Sequence, residues 1–152
     1  MRRNEKEITD NSAIEAIIKK ALVCRLGLSE GHMPYIVPLC FGYKDNTLYF
    51  HGAIGGKKID ILNKNQNVCF EFDVDAEVVE KEKACSWGVK YQSVIGFGRA
   101  SLIGNIHEKR DALDIILSQY TDQSYDFDDN FLQATAVVKV EIDKMTGKQS
   151  GF

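Results

Sequence analysis

The feature that most constrains this fold is an alternation of apolar and polar residues with a period of two. It is clearest in residues 68–74 and 138–142, where every second residue is Val, Ile or Phe. Successive side chains of a β-strand point to opposite faces, so this period is typical of strands with one buried face. Six segments have strand character: residues 22–28, 35–43, 47–51, 68–74, 91–103 and 138–142.

Three further segments have the apolar spacing of an amphipathic helix: residues 9–22, 57–65 and 107–120. Ser12 and Glu15 predict a capping box at the start of the first, and Asn105 is placed to cap the third.

Residues 75–90 and 121–130 are polar and irregular, which predicts long connections. Pro38 interrupts its strand and predicts an edge, a bulge or a strand end, because proline has no N–H for the ladder. Gly96 and Gly98 predict a bulge or a close backbone approach.

The connections between the early strands are short, which favours antiparallel pairing. Few helices are available to cover the sheet, and such a sheet tends to close on itself. The sequence therefore predicts a mainly β protein: a six-stranded antiparallel barrel with peripheral helices, forming a single domain over residues 1–152.

Composition excludes several classes of function. The 152 residues carry 19 basic and 22 acidic side chains, and this net charge of −3 does not suggest nucleic-acid binding. No apolar run is long enough to span a bilayer, and the charged N-terminus has no apolar segment behind it. We therefore expect a cytoplasmic protein with no membrane partner.

The four cysteines point to no metal site and no disulfide framework. Cys24, Cys40 and Cys69 lie in apolar stretches and are expected to be buried or inert, whereas Cys85 is expected to be exposed. No pair has the C-x-x-C spacing of a zinc or redox site.

The segment with the most chemical information is residues 49–60. A strand ends at His51, a glycine-rich turn follows, and a helix opens with Lys57 and Lys58. Free N–H groups at a helix N-terminus bind anions, and glycine allows close approach, so this segment is a candidate anion site. The alternative is a solvated lysine pair after an ordinary strand-to-helix turn.

Several segments together resemble the nitroimidazole-resistance-protein branch of the pyridoxamine 5′-phosphate oxidase-like flavoproteins. They are Arg2-Arg3 and residues 33–43, 51–58, 91–100 and 145–148, in that order. The resemblance implies a split β-barrel and a homodimer that binds flavin mononucleotide (FMN) at the subunit interface.

The resemblance also assigns residues by position. Lys57 and Lys58 match the basic pair that holds the flavin phosphate, and His51 and Gly52 match the strand end beside it. The strand whose backbone faces the isoalloxazine ring corresponds to Val37, Pro38 and Leu39. Ser93, Val94 and Ile95 match a second strand that borders the ring. This strand belongs either to the same subunit or to the partner subunit.

The function implied is an FMN-dependent oxidoreductase that acts on a small molecule, similar to nitroimidazole reductases, with NAD(P)H as a candidate reductant. His51 is the candidate catalytic residue, as a proton donor or shuttle. The alternatives are a non-catalytic flavin- or haem-binding split barrel, with His51 as a candidate haem ligand, and an empty structural dimer. Trp87 and Tyr91 either cover the flavin or anchor their loop.

Overall fold

The computed structural model describes residues 4–152, so Arg2 and Arg3 of the resemblance lie outside the described residues. The strands are β1 (Glu7–Ile8), β2 (Cys24–Glu30), β3 (Met33–Leu39), β4 (Gly42–Lys44), β5 (Thr47–Ala53), β6 (Asn67–Val79), β7 (Gly88–Leu102) and β8 (Thr135–Ser150). The α-helices are α1 (Asn11–Lys20), α2 (Lys57–Lys64), α3 (Ile106–Ser118) and α4 (Asp129–Ala134).

The strands form one antiparallel sheet in the order β3-β2-β6-β7-β8-β5-β4, and β1 pairs with the far end of β8. This is the split-barrel fold, so the predicted mainly β barrel with peripheral helices is confirmed. The sheet has eight strands where six were predicted. One extra strand is the two-residue β1, and the other arises because residues 35–43 divide into β3 and β4.

Two local predictions about helix starts had different outcomes. The capping box of Ser12 and Glu15 is wrong, because α1 starts earlier and its N-cap is Asp10. The Asp10 carboxylate accepts hydrogen bonds from the Ser12 hydroxyl and from the backbone N–H of Ala13. The Asn105 cap is confirmed, since its side chain accepts from two N–H groups in the first turn of α3.

The prediction of an irregular loop over residues 75–90 is wrong at both ends. Strand β6 continues to Val79 and β7 already begins at Gly88, with a short 3₁₀ turn at Ala84–Ser86 between them. The register shifts between Val74 and Glu77, which indicates a β-bulge. A bulge breaks the period-two pattern, so the sequence pattern did not reveal the strand beyond it.

The main core lies on the inner face of the sheet, where Phe41, Phe50, Phe70 and Phe72 are buried together with aliphatic side chains. A methyl group on Gly96 would lie 2.1 Å from the Phe70 ring, so the predicted close approach at this glycine is confirmed. A second core lies under α3 and α4; its members are Ile103, Ala112, Leu113, Ile116, Leu132 and Val137.

The cysteines are less buried than the sequence suggested. Cys24 is buried, and burial raises the pKa of its thiol. Cys85 is exposed as predicted, but Cys40 and Cys69 are also exposed, so the expectation of burial is wrong for these two. Cys69 belongs to the outward-facing set of β6, and Cys40 lies in the connection between β3 and β4.

Candidate functional site

Helix α2 begins directly after the glycine-rich turn, as predicted. Ile59, Ile61 and Leu62 hold it against the main core. Its N-cap residue, Gly56, has a φ of 115° and offers no side-chain hydrogen bond to the first turn. The first N–H groups of a helix have no partner within the helix, so they face outward here and are available to an anion.

Lys58 places its ammonium group over the end of β5. A methyl group on Gly52 would lie 3.1 Å from the Nζ of Lys58, so the missing side chain of this glycine makes room for the ammonium. Lys58 is half-buried, and burial lowers its pKa. Within residues 4–152, no carboxylate lies within ion-pair distance of Lys58.

Lys57 extends to the other side of the same helix start. Its Nζ lies 4.9 Å from the ring centroid of Tyr35 in β3. The first turn of α2 therefore contacts β3 through one lysine and β5 through the next. Two cations therefore belong to the helix turn that carries the free N–H groups.

His51 is exposed on the face of β5 opposite to Gly52, because neighbouring residues of a strand point to opposite sides. It pairs with Val137 of β8, which belongs to the second core. Partial burial and then the positive charge of Lys58 lower the pKa of His51 below its usual 6.5. The imidazole is therefore mostly neutral at pH 7.

The β3 residues lie at the end of the sheet order. Val37 and Leu39 are half-buried against the main core, and the exposed Pro38 points the other way. β3 pairs only with β2 among the described strands, so of the three alternatives predicted for Pro38, an edge, a bulge or a strand end, the edge position is confirmed. The free edge of β3 presents unpaired backbone groups at which a flat polar ring could bind.

The β7 residues are not close to β3 within one chain. Val94 is fully buried in the main core. Ser93 and Ile95 alternate with it on the other face of β7, where Ile95 is 49% exposed but Ser93 is buried at 8% exposure. Ile95 lies in the same cross-strand row as Pro38, with β6 and β2 between them. Three strand spacings separate the two residues by about 14 Å.

Sequence reasoning missed Tyr35, which lies 22 positions before Lys57 and is joined to it only by folding. It also gave no individual role to Lys148, which is paired with Ser93 and has its Nζ 5.5 Å from the Tyr91 ring centroid. No local signal marks either contact, since both connect elements that are distant in sequence.

Residues 4–152 contain neither a cluster of metal-ligating side chains nor a membrane-spanning helix. No group of three or more His, Cys, Asp or Glu side chains in this range is arranged to hold a metal ion. No helix in the same range is long and apolar enough to cross a membrane.

Comparison with known proteins identifies the family. The family model described as pyridoxamine 5′-phosphate oxidase matches residues 10–149, so the chain belongs to this family. The resemblance inferred from the sequence is thereby confirmed. No curated protein sequence matches the chain.

Three solved structures illustrate the likeness. A candidate 5-nitroimidazole antibiotic resistance protein from Bacteroides thetaiotaomicron is 38% identical, with a TM-score of 0.86 over 94% of this chain and 86% of that one. A flavocytochrome from Azotobacter vinelandii is 20% identical, with a TM-score of 0.87 over 100% and 72% of the two chains. A FAD- and haem-binding protein from Mycobacterium smegmatis is 20% identical, with a TM-score of 0.87 over 97% and 74%.

Proposed function

We propose that this protein is a cytoplasmic FMN-dependent oxidoreductase that acts on a small molecule, and that the start of α2 binds the FMN phosphate. The observation that carries the proposal is Lys58, a half-buried ammonium with no carboxylate within ion-pair distance in the described chain. Burying part of a cation without a counter-charge costs free energy. A bound phosphate would supply that counter-charge.

The groups at this position fit a terminal phosphate dianion. They comprise the uncapped N–H groups of α2, the ammonium of Lys58 over Gly52 and the ammonium of Lys57 over Tyr35. Cations at a helix N-terminus oppose the helix dipole, so this arrangement is unfavourable until an anion binds. Lysine contacts phosphate as a point charge, which allows both ammonium groups to adjust to the ligand.

The proposed ring contacts require a second copy of the chain. Pro38 lies on the edge strand β3, and Ile95 lies about 14 Å away on β7 of the same chain, from the spacing of adjacent strands. A homodimer would place Ser93 and Ile95 of one copy against the β3 edge of the other. The exposed apolar side chains of Ile36, Ile95 and Phe97 on the outer face support such an interface.

When bound, the flavin supplies the electron-transfer chemistry that connects a reductant such as NAD(P)H with an acceptor. The chain binds its phosphate and orients its ring. His51 has a lowered pKa, so near neutral pH its ring can donate one N–H hydrogen bond and accept a proton at the other nitrogen. The similarity to a candidate 5-nitroimidazole resistance protein suggests a nitro compound as the acceptor to test first.

A second candidate function is supported by the same histidine. Neutral imidazole is the form that coordinates haem iron, and His51 is exposed. In this alternative the protein would bind haem without turnover, and His51 would be the ligand of the haem iron instead of a proton donor or acceptor.

Absorbance spectroscopy of the purified protein separates the two candidates. Flavin bands, release of FMN on denaturation and oxidation of NAD(P)H coupled to loss of a nitro compound would support the proposal. A Soret band without flavin would favour the haem-binding alternative. Equilibrium dialysis that shows no binding of FMN would exclude the FMN-dependent enzyme.

Replacement of His51 by alanine tests its proposed role. We expect turnover to fall much more than flavin content, because the proposal gives His51 a proton to hold or move and leaves phosphate binding to Lys57, Lys58 and the start of α2. Loss of flavin with unchanged turnover per bound flavin would make His51 a cofactor ligand only.

A further inference from the structure

The hairpin of β6 and β7 continues beyond the rest of the sheet. At Glu77, Val78 and Val79 the only described strand that pairs with β6 is β7, at Lys90, Val89 and Gly88. β2 pairs with β6 only over Arg25–Gly27, and the pairing of β8 with β7 ends at Tyr91. We call residues 77–90 the β6–β7 arm.

The β6–β7 arm carries apolar side chains that its own chain does not cover. Val78 is 61% exposed, Trp87 is 50% exposed and Val89 is 49% exposed, and none belongs to either core. Val78 and Val89 are directly paired, so two exposed apolar side chains lie next to each other on a ribbon of two strands. An isolated ribbon of two strands is marginally stable in water, which makes a binding partner for the arm energetically useful.

Trp87 is fixed at the tip of the arm. Its indole N–H donates to the carbonyl of Lys81 at 2.8 Å, and its backbone N–H donates to the carbonyl of Ala84 at 3.2 Å. The polar end of the side chain is therefore satisfied, and half of its surface remains exposed. A held aromatic side chain loses little conformational entropy on contact with a ligand.

The arm lies at the opposite end of the sheet from the phosphate-binding turn of its own chain. On β8, His51 pairs with Val137, whereas Tyr91 at the base of the arm pairs with Ser150. The rise of about 3.3 Å per residue places these two points about 40 Å apart along the strand. The base of the arm and the end of β5 therefore pair with opposite ends of β8.

The arm is continuous with the surface proposed to contact the partner. Val89, Tyr91, Ser93, Ile95 and Phe97 are alternate residues of β7 and therefore share one face, on which Val89, Ile95 and Phe97 are each about half exposed and Ser93 is buried. Ser93 and Ile95 of this stripe are the residues proposed to border the flavin of the second copy. An arm that extends the same stripe would lie on the same second copy.

From this geometry we infer that the β6–β7 arm of one copy covers the flavin site of the other, with Trp87 as an aromatic wall for the substrate. The inference rests on the proposed function. Its substrate class is a flat, uncharged or weakly polar aromatic compound, because the exposed indole surface offers stacking and its N–H is already used.

Trp87 is the only tryptophan in the chain, so its fluorescence can test the inference. Mixed dimers are prepared from a Lys57→Ala/Lys58→Ala chain, which keeps Trp87, and a Trp87→Phe chain, which keeps both lysines. FMN binding is measured separately by equilibrium dialysis, and formation of mixed dimers is checked by native mass spectrometry. We expect FMN to quench most of the tryptophan emission, because the two groups would come from different chains.

The outcomes distinguish the inference from the proposed function. If FMN binds to mixed dimers and leaves the tryptophan emission unchanged, the arm inference is wrong and the proposed cofactor stands. If FMN does not bind, or if no dimer forms, both are wrong.

A comparison of steady-state kinetics tests whether Trp87 contacts the substrate. Trp87→Ala is expected to raise the KM for an aromatic acceptor roughly tenfold, the size of a lost stacking contact, with FMN affinity nearly unchanged. Tyr125→Ala is the matched control, because Tyr125 is 51% exposed and lies outside the arm. Equal KM values for the two variants would overturn the role of Trp87.

Discussion

The starts of the four α-helices in the described chain differ in a way that reflects function. Asp10, Asn105 and Asp128 cap α1, α3 and α4, and each side chain accepts hydrogen bonds from N–H groups of the first turn. Helix α2 instead begins after Gly56, with no side-chain cap and with Lys57 and Lys58 in its first turn.

This difference shows that the start of α2 lacks local stabilisation that the other three helix starts have. A capping side chain satisfies N–H groups that would otherwise lack a partner, and a negative charge there favours the helix dipole. α2 has no side-chain cap, and the acidic Asp60 in its first turn is opposed by Lys57 and Lys58, yet Ile59, Ile61 and Leu62 hold the helix in the core. Packing therefore maintains a helix start that is unfavourable by itself and is suited to an anion.

The largest expected effect comes from removing the two cations of α2. Lys57→Ala/Lys58→Ala should weaken FMN binding at least 100-fold, since a hydrogen bond to a charged group contributes about 1.5–3 kcal/mol. The FMN-free variant should be slightly more stable than the parent, because each removed cation relieves about 0.3–1 kcal/mol of unfavourable dipole interaction. Equilibrium dialysis and urea unfolding measure the two effects.

Lys64→Ala is the matched control for that variant. Lys64 lies in the same helix and its Nζ is 3.1 Å from Glu30 in an exposed ion pair, so its loss should affect both quantities little. Equal loss of FMN in the control and in the double variant would refute the phosphate assignment.

The next effect concerns a capped helix. Asn105→Ala should destabilise the protein by about 1 kcal/mol, because two N–H groups at the start of α3 lose their acceptor. FMN affinity should stay the same, since α3 is not part of the proposed site. Urea unfolding with parallel dialysis checks this, and a change in FMN affinity would show that helix caps and the site are not independent.

A smaller effect is expected on the protonation of His51. Lys58→Ala removes one of the two causes of its low pKa, so the pKa should rise toward 6.5, while partial burial keeps it below that value. NMR titration of the imidazole protons measures the shift. An unchanged pKa would mean that the Lys58 ammonium is not close to His51 in solution.

The same shift predicts a dependence of stability on pH. Because the folded state has the lower pKa, the unfolded chain binds more protons below pH 6.5, and this group destabilises the protein as pH falls through 6.5. Above pH 6.5 both states are neutral and the contribution disappears. Urea unfolding at pH values on either side of 6.5 measures this effect. The free energy of unfolding should decrease less at low pH in Lys58→Ala than in the parent.

The smallest effect is expected at Gly52. The new methyl group of Gly52→Ala would lie 3.1 Å from the Nζ of Lys58, and this flexible chain end can move slightly. We expect FMN affinity to fall about two- to fivefold. This is a smaller loss of binding free energy than the about 1.4 kcal/mol that corresponds to a tenfold change in affinity. Gly104→Ala is the control, because a methyl group there meets no atom within 4 Å and Gly104 lies outside the turn before α2. A similar loss in both variants would contradict the role assigned to Gly52.

The parts predicted correctly depend on neighbours in sequence. The start of α2 at Lys57, the Asn105 cap and the edge position of Pro38 follow from local hydrogen bonding and backbone geometry. The turn between β4 and β5 also depends on local geometry, since Asp45 and Asn46 adopt the positive φ angles that favour hairpins.

The wrong predictions concern places where distant elements decide the outcome. The bulge after Val74 hid the continuation of β6, and strand pairing put Cys69 on the outer face beside Gly27 and Phe97. An apolar neighbourhood in sequence does not establish burial, because the face of each residue depends on the register of the sheet.

The amino-acid sequence by itself determined the kinds of elements, their order and the chemistry of the turn at His51–Lys58, because periodicity and capping act over a few residues. The tertiary structure decided that Lys57 contacts Tyr35, that Lys58 covers Gly52 and that Pro38 and Ile95 lie far apart in one chain. Those relations arise from sheet register and from packing between elements that are distant along the chain, which no local pattern encodes.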